Sequence, residues 1–388
     1  MIRKMMLLVF TISLVVSVLP VRGAVVPLFS DVSSHWAKAS IEQAVTKGYV
    51  SGYPDGKFLP DKQVTRAEFI KMVVDALKLP HVQAGSPWYQ KYVAASIEFN
   101  IHKETDFKEL DLNKKYNQTL TRMEMARIAV RAVDEAMRDP KAIINDDSFM
   151  LQATTKGIIH GMGKGELAPE GLSTRAQAVA VVERMLTLHE GKTLPTDQTA
   201  IDNARIKLTK NNLFLFGFTD IVTFPVTVVD PSGYKITIHS MYAYDTEGSK
   251  PIVEKYEFTE YAKIGDGYGD VPIYEWDFFD GGYTMFLLNI TIQNDGKKDV
   301  AKDFYDNEPK YNMVSMGGGV RPTPSNSDSE LRKFINNTEY TYGYRIKPGE
   351  SLNTNQAFTF KTGSISEAFQ FATDNASVDI ATVPDGGI

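Results

Sequence analysis

An all-α repeat region followed by an all-β sandwich is the fold the sequence predicts, on three grounds. A Thr-Arg-x-Glu/Gln tetrad occurs three times in the first half, at spacings of 56 and 53 residues. Each copy opens an apolar pattern of helical period. Beyond residue 197 lie 13 of the 18 tyrosines, and there β-branched runs broken by turn sequences replace the helical ones.

Bulk properties set the bounds. At 388 residues, 43% hydrophobic and 23% charged, the chain is long enough for several globular cores. Residues 1–23 read as a secretory signal: Arg3 and Lys4 precede an apolar run, and small residues follow near Gly23. That run is shorter than the ~20 residues a spanning helix needs. Losing Arg3, Lys4 and Arg22 with the signal takes the formal charge from −6 to −9. An acidic chain of this kind argues against nucleic acid as partner, since phosphate binding needs basic surface. There is no cysteine, so neither a disulfide framework nor a lipidated N-terminal cysteine is expected. Residues 383–388 offer no hydrophobic tail, so no membrane attachment is expected once the signal is cleaved. An exported chain of this kind is either released or held by something it binds.

The tetrads are Thr65-Arg66-Ala67-Glu68, Thr121-Arg122-Met123-Glu124 and Thr174-Arg175-Ala176-Gln177. A second helical segment lies upstream, over 36–47 in the first copy and 148–156 in the third. Gly48, Asn100 and Gly157 stand where a left-handed helix stop is expected. The parts are then repeats at 24–80, 81–138 and 139–187, a linker at 188–200 and a β region at 201–388. One pair of short helices cannot bury both its faces, so the three copies should pack round a shared core.

Thr-x-x-Glu/Gln before an apolar run is a capping box, which accounts for Thr65 with Glu68, Thr121 with Glu124 and Thr174 with Gln177. The arginine is less easily explained. At the first helical position a cation opposes the helix dipole, yet Arg66, Arg122 and Arg175 all sit there. Guanidinium beside a helix N-terminus suits a carboxylate or phosphate; a salt bridge to a neighbouring repeat is the competing explanation. Trp36 and Trp88, each 12 residues before a stop, suit either sugar stacking or core packing. Tyr53 rides a turn-rich loop, Ser51-Gly52-Tyr53-Pro54-Asp55-Gly56-Lys57-Phe58.

Phe29-Ser30-Asp31, Trp36-Ala37, the 48–58 loop, Pro60 and Thr65-Arg66-Ala67-Glu68 together resemble the S-layer homology family over residues 29–187. The resemblance implies a pseudo-threefold helical unit whose grooves bind secondary cell-wall polysaccharide through a pyruvate-ketal amino sugar. It implies Arg66, Arg122 and Arg175 as carboxylate contacts, Trp36 and Trp88 as sugar-facing aromatics, and Asp31 and Gly52 as shaping the first groove, with Tyr53 beside them. Repeat two lacks the Gly-Tyr-Pro-Asp-Gly loop, and repeat three has Asn145 and no tryptophan but keeps Gly161. At most two competent grooves are expected, without a strong one in repeat three.

In the second half, apolar runs at 213–218, 234–244, 284–293 and 355–362 read as strands, separated by Asp-Pro-Ser-Gly, Asn-Asp-Gly and Lys-Pro-Gly turns. The 287–296, 347–351 and 357–360 segments are similar to bacterial surface immunoglobulin-like domains. Of six histidines only His239 falls here, so a multi-histidine metal site is not expected, and no nucleophile or phosphate-loop motif is present. No cofactor and no catalytic residue is expected. The expected function is non-covalent wall anchoring with a displayed β module, whose own partner the sequence does not name. A wall-anchored hydrolase using carboxylates such as Asp277 and Asp280 and a surface-lattice subunit are the alternatives.

Overall fold

The computed structural model describes residues 29–82, 86–139, 144–245, 283–302, 311–315, 318–319, 344–361, 368–373 and 376–382; the expected signal, Asp277 and Asp280 lie outside them. Helices α1 (Lys38–Lys47), α2 (Arg66–Ala76), α3 (Gln90–Glu98), α4 (Leu112–Asn117), α5 (Arg122–Val133), α6 (Asp146–Thr155), α7 (Arg175–His189) and α8 (Gln198–Thr209) come first. Strands follow: β1 (Val226–Val229), β2 (Tyr234–Asp245), β3 (Tyr283–Asn294), β4 (Val300–Lys302), β5 (Tyr311–Ser315), β6 (Gly318–Gly319), β7 (Tyr344–Ile346), β8 (Ser351–Lys361), β9 (Ala368–Thr373) and β10 (Ser377–Thr382).

Repeat one is α1 and α2, repeat two α3 and α5 with α4 in its loop, and repeat three α6 and α7. The expected stops are all left-handed, with φ of 80° at Gly48, 54° at Asn100 and 72° at Gly157. All three capping boxes form. Just before these caps three backbone hydrogen bonds close a ring between the repeats. Val64 donates its amide to Ser173 O (3.0 Å), Ser173 to Leu120 O (2.9 Å), and Leu120 to Val64 O (2.9 Å). Each repeat thus satisfies another's backbone. Ile41, Phe69, Ile70, Ile128, Phe149 and Val179 fill one common core.

The helical unit runs further than the sequence suggests. Helix α8 crosses the expected linker and β boundary, and its buried Ala200 and Ala204 belong to the helical core. Asn203 donates to Gly165 O at 2.9 Å, and Asp197 caps the helix by accepting from Ala200 N. The chain then turns at Lys210 (φ 57°) straight onto the sheet.

That junction also corrects the strand expected at 213–218, which is a 3-10 turn, Leu213–Phe216, ended by Gly217 at φ 87°. Short apolar runs do not by themselves separate strand from turn. Here the fully buried Asn212 decides it: Oδ1 accepts from Ala243 N (2.7 Å) and Nδ2 donates to Ala243 O (2.8 Å). A side chain takes the ladder position a strand would have filled.

The strands form antiparallel sheets ordered β1-β2-β3-β8 and β10-β9-β5-β6, plus the pair β4-β7. In β3, Phe286, Leu288, Ile290 and Ile292 are buried at period two, the mark of one covered face. In β2 the residues that join the apolar core are Tyr234, Ile236 and Ile238, and then, with changed phase, Met241 and Ala243. The pairing with β3 shifts register between Ile238 and Ser240, a bulge at His239. His239 Nε2 lies 2.7 Å from Thr291 Oγ1, a strand-to-strand contact. Phe371 and Ile380 of the second sheet join the same core.

Candidate functional site

In repeats two and three the helix N-termini of the tetrads do not present open amides, and there this corrects the expected anion receptor. The first-position amides donate across to another repeat: Arg66 N to Gln118 O (3.0 Å), Arg122 N to Gly171 O (2.8 Å), Arg175 N to Lys62 O (2.9 Å). Met123 N and Ala176 N, one position on, reach Pro169 O and Pro60 O at 2.9 Å. The third-position amides go to the capping threonines. In repeats two and three any anion must be met by side chains.

The three arginines differ in their partners: among the described residues only Arg66 pairs with carboxylates. Arg66 is 7% exposed and saturated. Its Nε donates to both oxygens of Glu124 at 3.1 Å, Nη1 to Glu109 Oε2 at 2.8 Å and to Lys115 O at 2.9 Å, and the guanidinium lies 4.2 Å from the Phe107 ring centre. Burial works against its charge, but Glu124 and Glu109 outweigh burial and raise its pKa. Arg175 donates to Phe58 O and Ser51 O (both 3.1 Å) and sits against the Tyr53 and Phe58 rings. Arg122 likewise donates to carbonyls, Leu167 O at 2.9 Å and His160 O at 2.8 Å, and no carboxylate among the described residues pairs with it. Burial, reinforced by the nearby charge of Arg184, pushes its pKa down.

Arg122 and Arg184 line one groove of about 310 Å³ together with Trp36, Gly161, Met162 and Gln177, and its lining contains no acidic side chain. The groove therefore draws on all three repeats: tryptophan from the first, arginine from the second, loop and helix from the third. Arg184 donates to Ile158 O at 3.0 Å, and burial lowers its pKa too. Buried cations without a counter-charge favour the arrival of an anion.

The other expected residues sort by exposure. Trp36 is 64% exposed and Trp88 48%, so neither is packed in the core. Trp36 borders the groove, whereas Trp88 stacks edge-on near Tyr89 and Tyr92 and is not part of its lining. Asp31 accepts from Phe58 N (2.9 Å) and Leu59 N (2.8 Å), pinning the 48–58 loop; burial opposes its charge slightly, and those amides hold its carboxyl below the ordinary value. Gly52 is a packing glycine, since a Cβ there would stand 2.1 Å from the Phe29 ring. Tyr53 accepts from Lys62 Nζ at 3.1 Å. Arg184 and His160 escape a reading based on the tetrads, which gives Gln177 only a capping role. Comparing the three helices nine residues past the tetrad arginine, where Asp75, Arg131 and Arg184 stand, would have shown a second arginine in repeats two and three.

The S-layer homology domain family matches residues 28–70 and 145–179. Exoglucanase XynX of Acetivibrio thermocellus is 31% identical over 180 residues, 41% of this chain and 16% of that protein. The surface-layer 125 kDa protein of Lysinibacillus sphaericus is 29% identical over 192 residues, 43% of this chain and 16% of its own. The cellulosome-anchoring protein of Acetivibrio thermocellus is 37% identical over 78 residues, 17% of each. This chain spans less than a fifth of the length of these curated relatives, and the likeness to the hydrolase is confined to the S-layer homology part. A functionally unknown protein from Listeria monocytogenes EGD-e aligns with 43% of this chain and 88% of its own at 12% identity and a TM-score of 0.24, too slight a likeness to inform the fold. Among the described residues no helix is long and apolar enough to cross a membrane. The helical half therefore carries S-layer homology domains, and the protein belongs to the cell-wall surface.

Proposed function

We propose that the helical unit holds this protein non-covalently on secondary cell-wall polysaccharide, seating the carboxylate of a pyruvate-ketal amino sugar in the Arg122 groove. The observation behind this is an acid-free groove in which two guanidiniums lie beside an exposed tryptophan. Arg122 has donors left to grip a carboxylate, and the apolar face of Trp36 suits a sugar ring. Arg66, engaged by Glu109 and Glu124, serves cohesion between repeats one and two. Anchoring names among the relatives, the cellulosome-anchoring protein in particular, agree with this reading. The β half, two antiparallel sheets sharing one core, is then the module displayed outward, read as an immunoglobulin-like sandwich.

The test is co-sedimentation of the full chain with cell-wall sacculi before and after the secondary polysaccharide is removed. The protein should pellet with intact sacculi and stay in solution with stripped ones. Arg122→Ala should lower the pelleted fraction. Equal sedimentation with both preparations defeats the proposal.

A further inference from the structure

We infer that the Arg122 groove takes a saccharide with two acidic groups, the ketal carboxylate on Arg122 and a second carboxylate or phosphate, on the adjoining sugar, held by Arg184. The inference rests on the polysaccharide reading above and adds the charge of the unit recognised.

Three comparisons within the chain support it. The first concerns the third position of each tetrad helix. Glu124 closes its own capping box through Thr121 N and also pairs with Arg66 of the preceding repeat. At the same position in repeat three stands Gln177, which closes its box through Thr174 N at 3.0 Å and brings no charge to Arg122. Glu68, the third member of the set, closes its own box through Thr65 N at 2.8 Å and makes no ion pair with Arg175 among the described residues, so the glutamate at this position neutralises Arg66 alone, and Gln177 has no charge with which to neutralise Arg122.

The second concerns the position nine residues past the tetrad arginine. Arg131 is tied to Asp106 at 2.6 Å, and Asp75 is tied to Lys71 at 2.7 Å. Arg184 touches only the carbonyl of Ile158 among the hydrogen bonds recorded for it. The one helix that supplies a second cation to a groove is the one that leaves it without an acid.

The third concerns the unused donors. Arg122 engages Nε and Nη2, and Arg184 engages Nη1. Among the described residues the buried side-chain atoms without a partner are Arg131 Nε and Ser173 Oγ, so the remaining guanidinium donors of Arg122 and Arg184 are not buried without a partner. A ligand with one carboxylate would leave one of two neighbouring cations uncompensated. Burial lowers the pKa of Arg122 and the charge of Arg184 lowers it further, so the pair of cations favours a second anion.

The experiment is calorimetric titration of the full chain at low salt and pH 8. The probes are three disaccharides sharing one pyruvate-ketal amino sugar and differing in the adjoining sugar: glucose, glucuronic acid or glucose 6-phosphate. One or both acidic probes should bind about tenfold tighter than the glucose probe, and which of them gains identifies the second group. Arg184→Gln should erase that advantage, costing the acidic probes about tenfold more than the glucose probe. Gln177→Glu should weaken the acidic probes most. Equal affinity for all three probes, or an equal loss for all three in Arg184→Gln, overturns the inference and leaves the anchoring proposal standing. Binding of none of them overturns both.

Discussion

Arg66 Nε donates to both carboxylate oxygens of Glu124 at 3.1 Å, across the seam between repeats one and two. The pair joins the first position of one repeat's helix to the third position of the next. Arg66→Ala leaves Glu124, with only 11% of its side chain exposed, facing a vacated cation site. Breaking a buried pair costs about 3–5 kcal/mol, and the partial exposure of Glu109 places this one near the lower end. Urea unfolding should show that loss of stability, while the folded fraction should still pellet with sacculi. A variant of full stability that fails to pellet would make Arg66 a ligand contact instead.

Trp36 and Trp88 look alike in sequence but differ in place. Trp36 borders the cationic groove and Trp88 does not. Trp36→Ala should therefore cut sacculus binding at least about tenfold, in the range of a lost aromatic hot spot. With 64% of the residue exposed, its unfolding midpoint should barely move. Trp88→Ala should leave binding close to wild type. The reverse ranking in a pelleting titration would move the site to repeat two.

What the sequence made legible was local. Capping boxes, the stops at Gly48, Asn100 and Gly157, and the alternation along 284–293 depend on neighbours a few residues away, so spacing reveals them. The partners of the tetrad arginines were not legible, because closure of the ring sets them: Glu109 and Glu124 lie 43 and 58 residues from Arg66. Arg184 reads as a solvated cation until its helix is aligned with the other two. Alternation along 234–244 looked imperfect because the bulge at His239 reverses the phase. Helix α8 was hidden for a different reason: its buried face is Ala200, Asn203 and Ala204, too small and too polar to stand out as an apolar stripe.

That hidden helix carries its own prediction. Ala200 and Ala204 cover the shared core, Asn203 bonds Gly165 O, and Asp197 Oδ2 accepts from Gly161 N in the loop beside the groove. A helical fragment ending at residue 195 loses all of these, whereas one ending at residue 210 keeps them. The shorter fragment should unfold at lower urea concentration and bind sacculi more weakly. Matching curves for the two fragments would show that α8 contributes nothing to the unit.

Acid should loosen repeat two before it touches the groove. Asp106 lies under His102 and Arg131, accepting from His102 Nδ1 at 3.0 Å and from Arg131 Nη1 at 2.6 Å, with Lys103 N also donating. Burial alone would raise its pKa; the bonds from His102 and Arg131 outweigh burial and hold the carboxyl well below its ordinary value of 3.8. With the folded value depressed, the unfolded chain takes up a proton first. The stabilisation is then complete above about pH 4 and is lost as pH falls further through the acid range. Glu109, held below its ordinary 4.5 by its own backbone amide and Arg66 against the effect of burial, adds to the same slope. Urea midpoints measured from pH 6 down to pH 2.5 should decline below pH 4. Asp106→Asn should lower stability at neutral pH and flatten that decline, because the group that takes up the proton is gone. An unchanged slope in the variant would assign the acid sensitivity to other carboxylates.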